Sequence, residues 1–183
     1  MKHLLTFGIL VMSIFFLTTA SMINAQMETN MNNITTTTTT TTTKDLTVSI
    51  GELLLVLKGK GEGMRLTNID KPQLEVAWSG NGTLNGNIPI MDLGTAWSTL
   101  KDNGYMHTKG HGILITFDNE VAKYTFSGIG KFDDNGKLGN LGSVNFDATD
   151  SGVLSVLNNI VGVYADEVDQ NGNSITKIWK LNK

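Results

Sequence analysis

Glycine pairs of the form Gly-x-Gly recur on the apolar face of segments in which apolar and polar residues alternate. In segment 121–132 the even positions include aromatic residues and two glycines, and segment 74–86 repeats the arrangement. A third pair stands at Gly110 and Gly112. Alternation with period two indicates strands with one buried face. Glycine is costly in a strand, but on the inner face it makes room for a bend or a neighbouring ring, so the pairs predict a coiled sheet that closes on itself.

The turn signals fit the same architecture, which is all-β. Short Asn, Asp and Gly clusters separate the apolar runs, as in Asp118-Asn119 and in 133–136. They predict an antiparallel up-and-down barrel of seven to eight strands, with bulges in an open sandwich as the alternative. Leucines at helical spacing after Asp150 predict one short helix of about two turns near Ser151–Asn158, capped by Asp150 or Ser151 and closing one end of the barrel.

The first residues predict a secretory signal over 1–25. Lys2 and His3 precede an uncharged apolar run over 4–20, and cleavage is favoured after Ala25. An uncleaved N-terminal membrane anchor is the alternative, because the apolar run nearly reaches spanning length. The predicted location is therefore extracellular or at the cell surface.

A polar linker follows the signal. Residues 26–44 include an unbroken threonine tract from Thr35 to Thr43, which cannot bury apolar surface and is predicted to be disordered. Residues 45–183 then form the single β-barrel domain. Asn33 and Asn81 match the N-glycosylation pattern, and odd parity directs Asn81 to solvent.

Several kinds of chemistry are poorly supported. The chain has no cysteine, which excludes thiolate nucleophiles and thiolate metal ligands. Its formal charge is -3, so it has no basic excess for binding nucleic acid. His107 and His111 lie about 13 Å apart along a strand by its rise per residue, too far for one ion to bind both. Segment 59–63 is glycine-rich but lacks phosphate-loop spacing, and it is predicted to be a flexible turn before a short strand over 64–69. We therefore expect no metal and no cofactor.

The predicted inner face carries the candidate ligand-binding residues, which are Trp78, Tyr124, Phe126 and Phe132. Such rings usually fill a core, but an eight-stranded barrel is just wide enough to hold one small molecule. Glu167 joins this site if it faces inward, where it is the best acid–base candidate. If it faces outward, it is an ordinary solvated carboxylate.

An apolar stripe also lies on the opposite face. Ile113, Ile115 and Phe117 share parity with each other and not with Leu114, so both faces of this strand are apolar and the outer one needs cover. The cover is either the apolar segment 53–57 or a second copy of the chain, and the second choice predicts a homo-oligomer.

The residues over 73–183 resemble a known group. The run GHGILITFDNEVAKYTFSGIGKF at 110–132, Leu-x-x-Leu-Asn at 154–158, VYADEVDQNG at 163–172 and KIWKL at 177–181 resemble a family of uncharacterised small archaeal and bacterial proteins. The resemblance implies a lipocalin-like or allene oxide cyclase-like barrel. It implies no established activity, and no catalytic residue of the cyclases can be placed on this chain.

The predicted function is a secreted or surface-tethered β-barrel that binds a small apolar ligand without catalysis. One alternative is an isomerase- or cyclase-type enzyme that uses the barrel pocket, which requires at least one ionisable group facing inward. Another is a structural cell-surface module held by the threonine tract.

Overall fold

The computed structural model describes residues 41–43 and 46–182. The predicted signal, most of the predicted linker and Asn33 lie outside the described residues. The described part contains nine strands and one short 3-10 helix, η1. They are β1 Thr41–Thr43, β2 Leu46–Asn68, β3 Gln73–Leu84, β4 Ile88–Leu100, β5 Met106–Thr116, β6 Val121–Phe132, β7 Leu138–Asp147, η1 Val153–Leu157, β8 Val161–Val168 and β9 Asn173–Asn182.

The strands form an antiparallel up-and-down barrel, as predicted. Each strand pairs with the next one in sequence, and β2 also pairs with β9. The β2–β9 pairing closes β2 to β9 into an eight-stranded ring. Closure removes the free edges that an open sheet would present.

Strand β2 differs from the sequence-based prediction. The predicted flexible turn over 59–63 is wrong, because these residues continue one 23-residue strand. A register shift between Gly61 and Gly63 absorbs the local irregularity, as bulges do in bent strands. Thr41–Thr43, which the sequence assigned to the linker, pair with Leu46–Val48 as β1.

The paired glycines face the interior, where neighbouring rings lie directly on them. A Cβ added at Gly110 would lie 2.6 Å from the Phe126 ring, and one added at Gly112 would lie 2.5 Å from the Tyr124 ring. Gly94, an inward glycine outside the pairs, would place a Cβ 2.2 Å from the Trp78 ring. A Cβ at Gly82 would lie 2.2 Å from a backbone oxygen of β2. No side chain fits at such distances, so the glycines permit both the ring packing and the sharp curvature of the sheet.

The short helix closes one end of the barrel, but it differs in detail from the prediction. It is a single 3-10 turn, in which Leu154 and Leu157 are fully buried. Its cap is neither Asp150 nor Ser151. The Glu120 carboxylate instead accepts hydrogen bonds from the backbone N–H groups of Val153 and Leu154, at 3.2 and 3.0 Å. Within residues 41–43 and 46–182, no helix has the length and apolarity needed to cross a membrane.

The apolar outer stripe, formed by Ile113 and Ile115 on β5 and by Phe117 just after it, is not covered by segment 53–57. That segment belongs to β2, whose strand partners are β1, β3 and β9. Ile113 and Ile115 are half-buried, and Phe117 is 86% exposed. Register places Ile115 between Met91 on β4 and Val121 on β6, so the stripe is part of a wider apolar surface.

Candidate functional site

The barrel encloses a cavity of about 730 Å³. The turns before β3, β7 and β9 lie at the same end of the barrel, because successive strands alternate in direction. Residues of the last two turns, including Gly136 and Asp169, line the cavity. Helix η1 lies at the opposite end, within the connection from β7 to β8. The cavity is therefore reached from one end and closed at the other.

Three of the four predicted aromatic residues lie inside the barrel and line the cavity. Trp78 and Phe126 pack edge to face with ring centroids 5.8 Å apart, and Phe126 packs in the same way against Tyr164 at 5.8 Å. Tyr124 is buried beside them. Phe132 also lines the cavity but is 43% exposed, as expected for the last residue of β6 at the open end.

Glu167 lies on the outer wall, where it forms an ion pair with Lys137. The inward carboxylate of β8 belongs to the preceding residue, Asp166, which lines the cavity with Tyr164. The sequence contains a signal for this, since Asp166 shares parity with Gly162 and Tyr164, a glycine and an aromatic residue like those on the inner faces of β3 and β6.

Asp92 is a second inward carboxylate, which was not predicted from the sequence. It is only 4% exposed. Its Oδ1 accepts a hydrogen bond from the Tyr124 hydroxyl at 2.5 Å, and its Oδ2 accepts one from Trp78 Nε1 at 3.0 Å. Burial raises the pKa of Asp92, while these two hydrogen bonds oppose the rise. Burial also raises the pKa of Tyr124, and the negative charge of Asp92 adds to it.

Asp166 has a similar environment on β8. Its Oδ1 accepts a hydrogen bond from Thr176 Oγ1 at 2.8 Å, and its Oδ2 accepts one from Asn140 Nδ2 at 3.1 Å. Burial raises the pKa of Asp166, against the effect of the two hydrogen bonds. The side-chain oxygen Oδ1 of Asn140 is buried and has no hydrogen-bond partner among the described residues.

The two carboxylates lie on opposite walls of the cavity. Strands β4 and β8 are four steps apart in the ring of eight, so Asp92 and Asp166 lie on opposite walls of the interior. Asp166 precedes the β8–β9 turn at the open end, whereas Asp92 lies in the half of β4 nearer the closed end. The interior therefore presents one deep acid and one acid nearer the mouth.

The remaining candidate groups lie on the outside. His107 and His111 are exposed on β5, and the His111 ring packs against Trp97 at 5.3 Å between centroids. Asn81 is exposed, as its parity predicted. Within the part of the chain that the structure describes, no three His, Cys, Asp or Glu side chains converge on a metal-sized site.

Comparisons with known proteins support the fold. No protein-family model matches the chain, and neither does any curated protein. A conserved protein of unknown function from Rhodopseudomonas palustris matches with a TM-score of 0.62 and 10% identity, over 75% of this chain and 99% of that one. A protein of unknown function from Clostridium acetobutylicum matches with a TM-score of 0.63 and 14% identity, over 74% and 99%.

A third similar structure is described as a β-barrel like protein from Acinetobacter baumannii. It matches with a TM-score of 0.58 and 15% identity, over 74% of this chain and 96% of that one. At these identities the likeness shows the fold alone. The resemblance drawn from the sequence is thus confirmed as a β-barrel-like fold shared with uncharacterised proteins, and its lipocalin-like and cyclase-like details stay predictions.

Proposed function

We propose that the barrel binds a small, largely apolar molecule in its cavity. The observation that carries this proposal is the volume of about 730 Å³, whose lining is mainly apolar with a few polar and acidic side chains. Ligand pockets typically span about 300–1,000 Å³ and combine an apolar lining with a few polar groups. An ordinary core is filled by its own side chains to a high packing density, and this interior is not.

The proposal is tested with a neutral fluorescent probe, Nile red, and a pair of alanine variants. Ala96 faces the cavity, whereas Ala77 is exposed on the outer face of β3. We expect Ala96→Phe to weaken Nile red binding at least about tenfold by occupying ligand volume, and Ala77→Phe to leave it unchanged. Circular dichroism checks that both variants fold. Equal binding by a folded Ala96→Phe variant contradicts the proposal.

Native mass spectrometry gives an independent measurement. Purified protein is compared before and after extraction with organic solvent, and we expect an apolar species to be released by extraction. Consistent absence of any released species, together with no Nile red binding, counts against a ligand-binding function.

We further propose that the protein acts outside the cytoplasm, because residues 1–25 have the features of a secretory signal. This proposal has three versions, which are a cleaved signal, an N-terminal membrane anchor and a structural surface module, and cell fractionation tests them. Protein released into the medium supports cleavage, whereas membrane-bound protein supports the anchor or the surface module. Protein recovered only in the cytoplasm contradicts all three versions.

An isomerase- or cyclase-type activity is the second candidate. It requires an ionisable group facing the cavity, and the hydrogen-bonded pair of Asp92 and Tyr124 supplies one. To test this, the molecules released from the purified protein by solvent extraction are incubated in D2O with newly purified protein. Deuterium incorporated at carbon by the native protein and not by the Asp92→Asn variant supports proton transfer, and no incorporation by either argues against it.

The apolar outer surface around Ile115 supports a proposed homo-oligomer. A lysine on this surface would place a charge in the interface, so Ile115→Lys should convert an oligomer into a monomer in light scattering. Lys109, exposed on the same strand, provides a control as Lys109→Gln. A monomeric native protein contradicts the proposal.

A further inference from the structure

The charged side chains that line the cavity are all acidic. Asp92 and Asp166 contribute carboxyl groups inside the barrel, Glu62 and Asp169 contribute exposed ones, and no lysine, arginine or histidine lies among the described residues of the lining. Nearby ammonium groups lie outside, as for Lys137 in its ion pair with Glu167. The interior field is therefore not balanced by an internal cation, which disfavours an anionic ligand.

Asp166 keeps unused capacity to accept hydrogen bonds. A carboxylate can accept about four hydrogen bonds, and Asp166 accepts two, one from Thr176 and one from Asn140. The Oδ1 of Asn140 is buried against Gly130 and is not open to the cavity. Asp166 therefore keeps free acceptor sites, and the preferred ligand should supply a hydrogen-bond donor for them.

Aromatic faces lie close to this carboxylate. Tyr164 lines the cavity near Asp166 and is only 6% exposed. Burial raises the pKa of the Tyr164 hydroxyl, and the negative charge of Asp166 raises it further. The Tyr164 ring packs against Phe126, which packs in turn against Trp78. Aromatic faces attract organic cations, and the attraction strengthens where water is excluded.

We propose that the ligand is an apolar amine, whose protonated nitrogen binds the Asp166 carboxylate while its hydrocarbon part packs on the aromatic rings of the cavity. This inference rests on the proposed binding function and specifies its ligand class. The position of Asp166 toward the open end suits a long molecule whose apolar end enters first, since the deeper lining includes Leu57, Val144 and Ile178. Asp92 is occupied by Tyr124 and Trp78 and limits access by anions.

The test uses three probes with the same alkyl tail, at concentrations below micelle formation. Dodecylamine, dodecanol and dodecanoate are titrated against the full protein by displacement of Nile red. We expect dodecylamine to bind about tenfold to a hundredfold more tightly than dodecanol, as a hydrogen bond to a charged partner implies. Dodecanoate should bind more weakly than dodecanol, because its carboxylate would meet carboxylates.

A matched pair of variants locates the effect. Asp166→Asn removes the inward charge at nearly constant shape, and Glu167→Gln removes its outward neighbour. We expect Asp166→Asn to abolish the advantage of dodecylamine over dodecanol while dodecanol binding is retained, and Glu167→Gln to change neither. If a folded Asp166→Asn variant binds all three probes more weakly by the same factor, Asp166 has a structural role and the inference is overturned.

The outcomes separate this inference from the binding function itself. If dodecanol or dodecanoate binds as tightly as dodecylamine, the cavity binds apolar molecules without selecting amines, and only the amine inference fails. If Nile red and all three probes fail to bind, both the amine inference and the proposed binding function fail.

Discussion

The Tyr124 hydroxyl on β6 reaches over strand β5 and donates a hydrogen bond to Asp92 Oδ1 on β4, with 2.5 Å between the two oxygens. The strand between them carries Gly112 at the crossing point, where an added Cβ would lie 2.4 Å from the Tyr124 oxygen. One missing side chain thus permits a hydrogen bond between strands that are not neighbours. Tyr164 on β8 crosses Gly142 on β7 and Gly128 on β6 in the same manner.

This crossing predicts the effect of a small substitution at Gly112. A Cβ there would also lie 2.6 Å from the Leu93 backbone oxygen, so Gly112→Ala must displace both Tyr124 and the backbone. We expect a loss of about 1–3 kcal/mol in the free energy of unfolding, as for other overpacked interiors. Urea denaturation measures it. Gly63→Ala is the control, because a Cβ at Gly63 meets nothing within 4 Å; equal effects at both sites would refute the crossing as the cause.

Removal of the Tyr124 hydroxyl should destabilise the fold without changing the packing of the ring. Tyr124→Phe leaves the buried Asp92 oxygen without its donor, and such losses cost about 1–3 kcal/mol. Tyr105→Phe removes a hydroxyl from a residue that is 40% exposed and should change stability little. Chemical denaturation of the two variants compares them, and a neutral Tyr124→Phe would show that water or a ligand replaces the bond.

The pH dependence of stability should reveal the buried Asp92. Its pKa is raised from 3.8 chiefly by burial, so between pH 3.8 and the raised value the folded protein binds more protons than the unfolded chain. Stability from this group is present below pH 3.8 and is lost as pH rises through the folded pKa.

Asp92→Asn removes this dependence and retains that of Asp166, whose pKa is raised in the same direction. We expect the variant to gain stability relative to the native protein as pH rises from 3.8, by at most about 1.4 kcal/mol per pH unit. Urea unfolding at several pH values measures the difference. Parallel curves for the two proteins would mean that Asp92 is not protonated on folding.

The Glu120 carboxylate should control the stability of the closed end. Glu120→Ala leaves the N–H groups of Val153 and Leu154 without their acceptor, at a cost of about 0.5–2 kcal/mol, as for lost helix caps. Hydrogen exchange at these two amides should accelerate while exchange in β3 and β4 stays slow. Glu52→Ala, at an exposed carboxylate on β2, is the control, and unchanged exchange in Glu120→Ala would exclude the capping role.

Local pattern was sufficient to predict much of the architecture. Alternation revealed the inner faces of β3 and β6, and turn residues marked most of the hairpins. It failed at 59–63, because a glycine-rich run can be a turn or a bulged strand, and only pairing with β3 and β9 distinguishes them. It also misassigned the cap of η1, since Glu120 is distant in sequence from the residues it binds.

The candidate site shows the same limit. Trp78, Tyr124 and Phe126 were identified by parity, whereas Glu167 was chosen over its neighbour Asp166 although parity places Asp166 beside Tyr164. Asp92 was not predicted, because the contacts that hold it inside the barrel come from residues distant in sequence. Its partners Trp78 and Tyr124 come from two other strands.

Two properties of this protein follow from its residue pattern. Its strands alternate apolar and polar faces because a strand has a two-residue period, and its inward glycines let the sheet bend into a barrel because they lack side chains. The open cavity with acids on opposite walls depends instead on the folded chain. Closing β2 onto β9 brings β4 and β8 face to face, and the volume left between them depends on how all eight strands coil, which no single segment encodes.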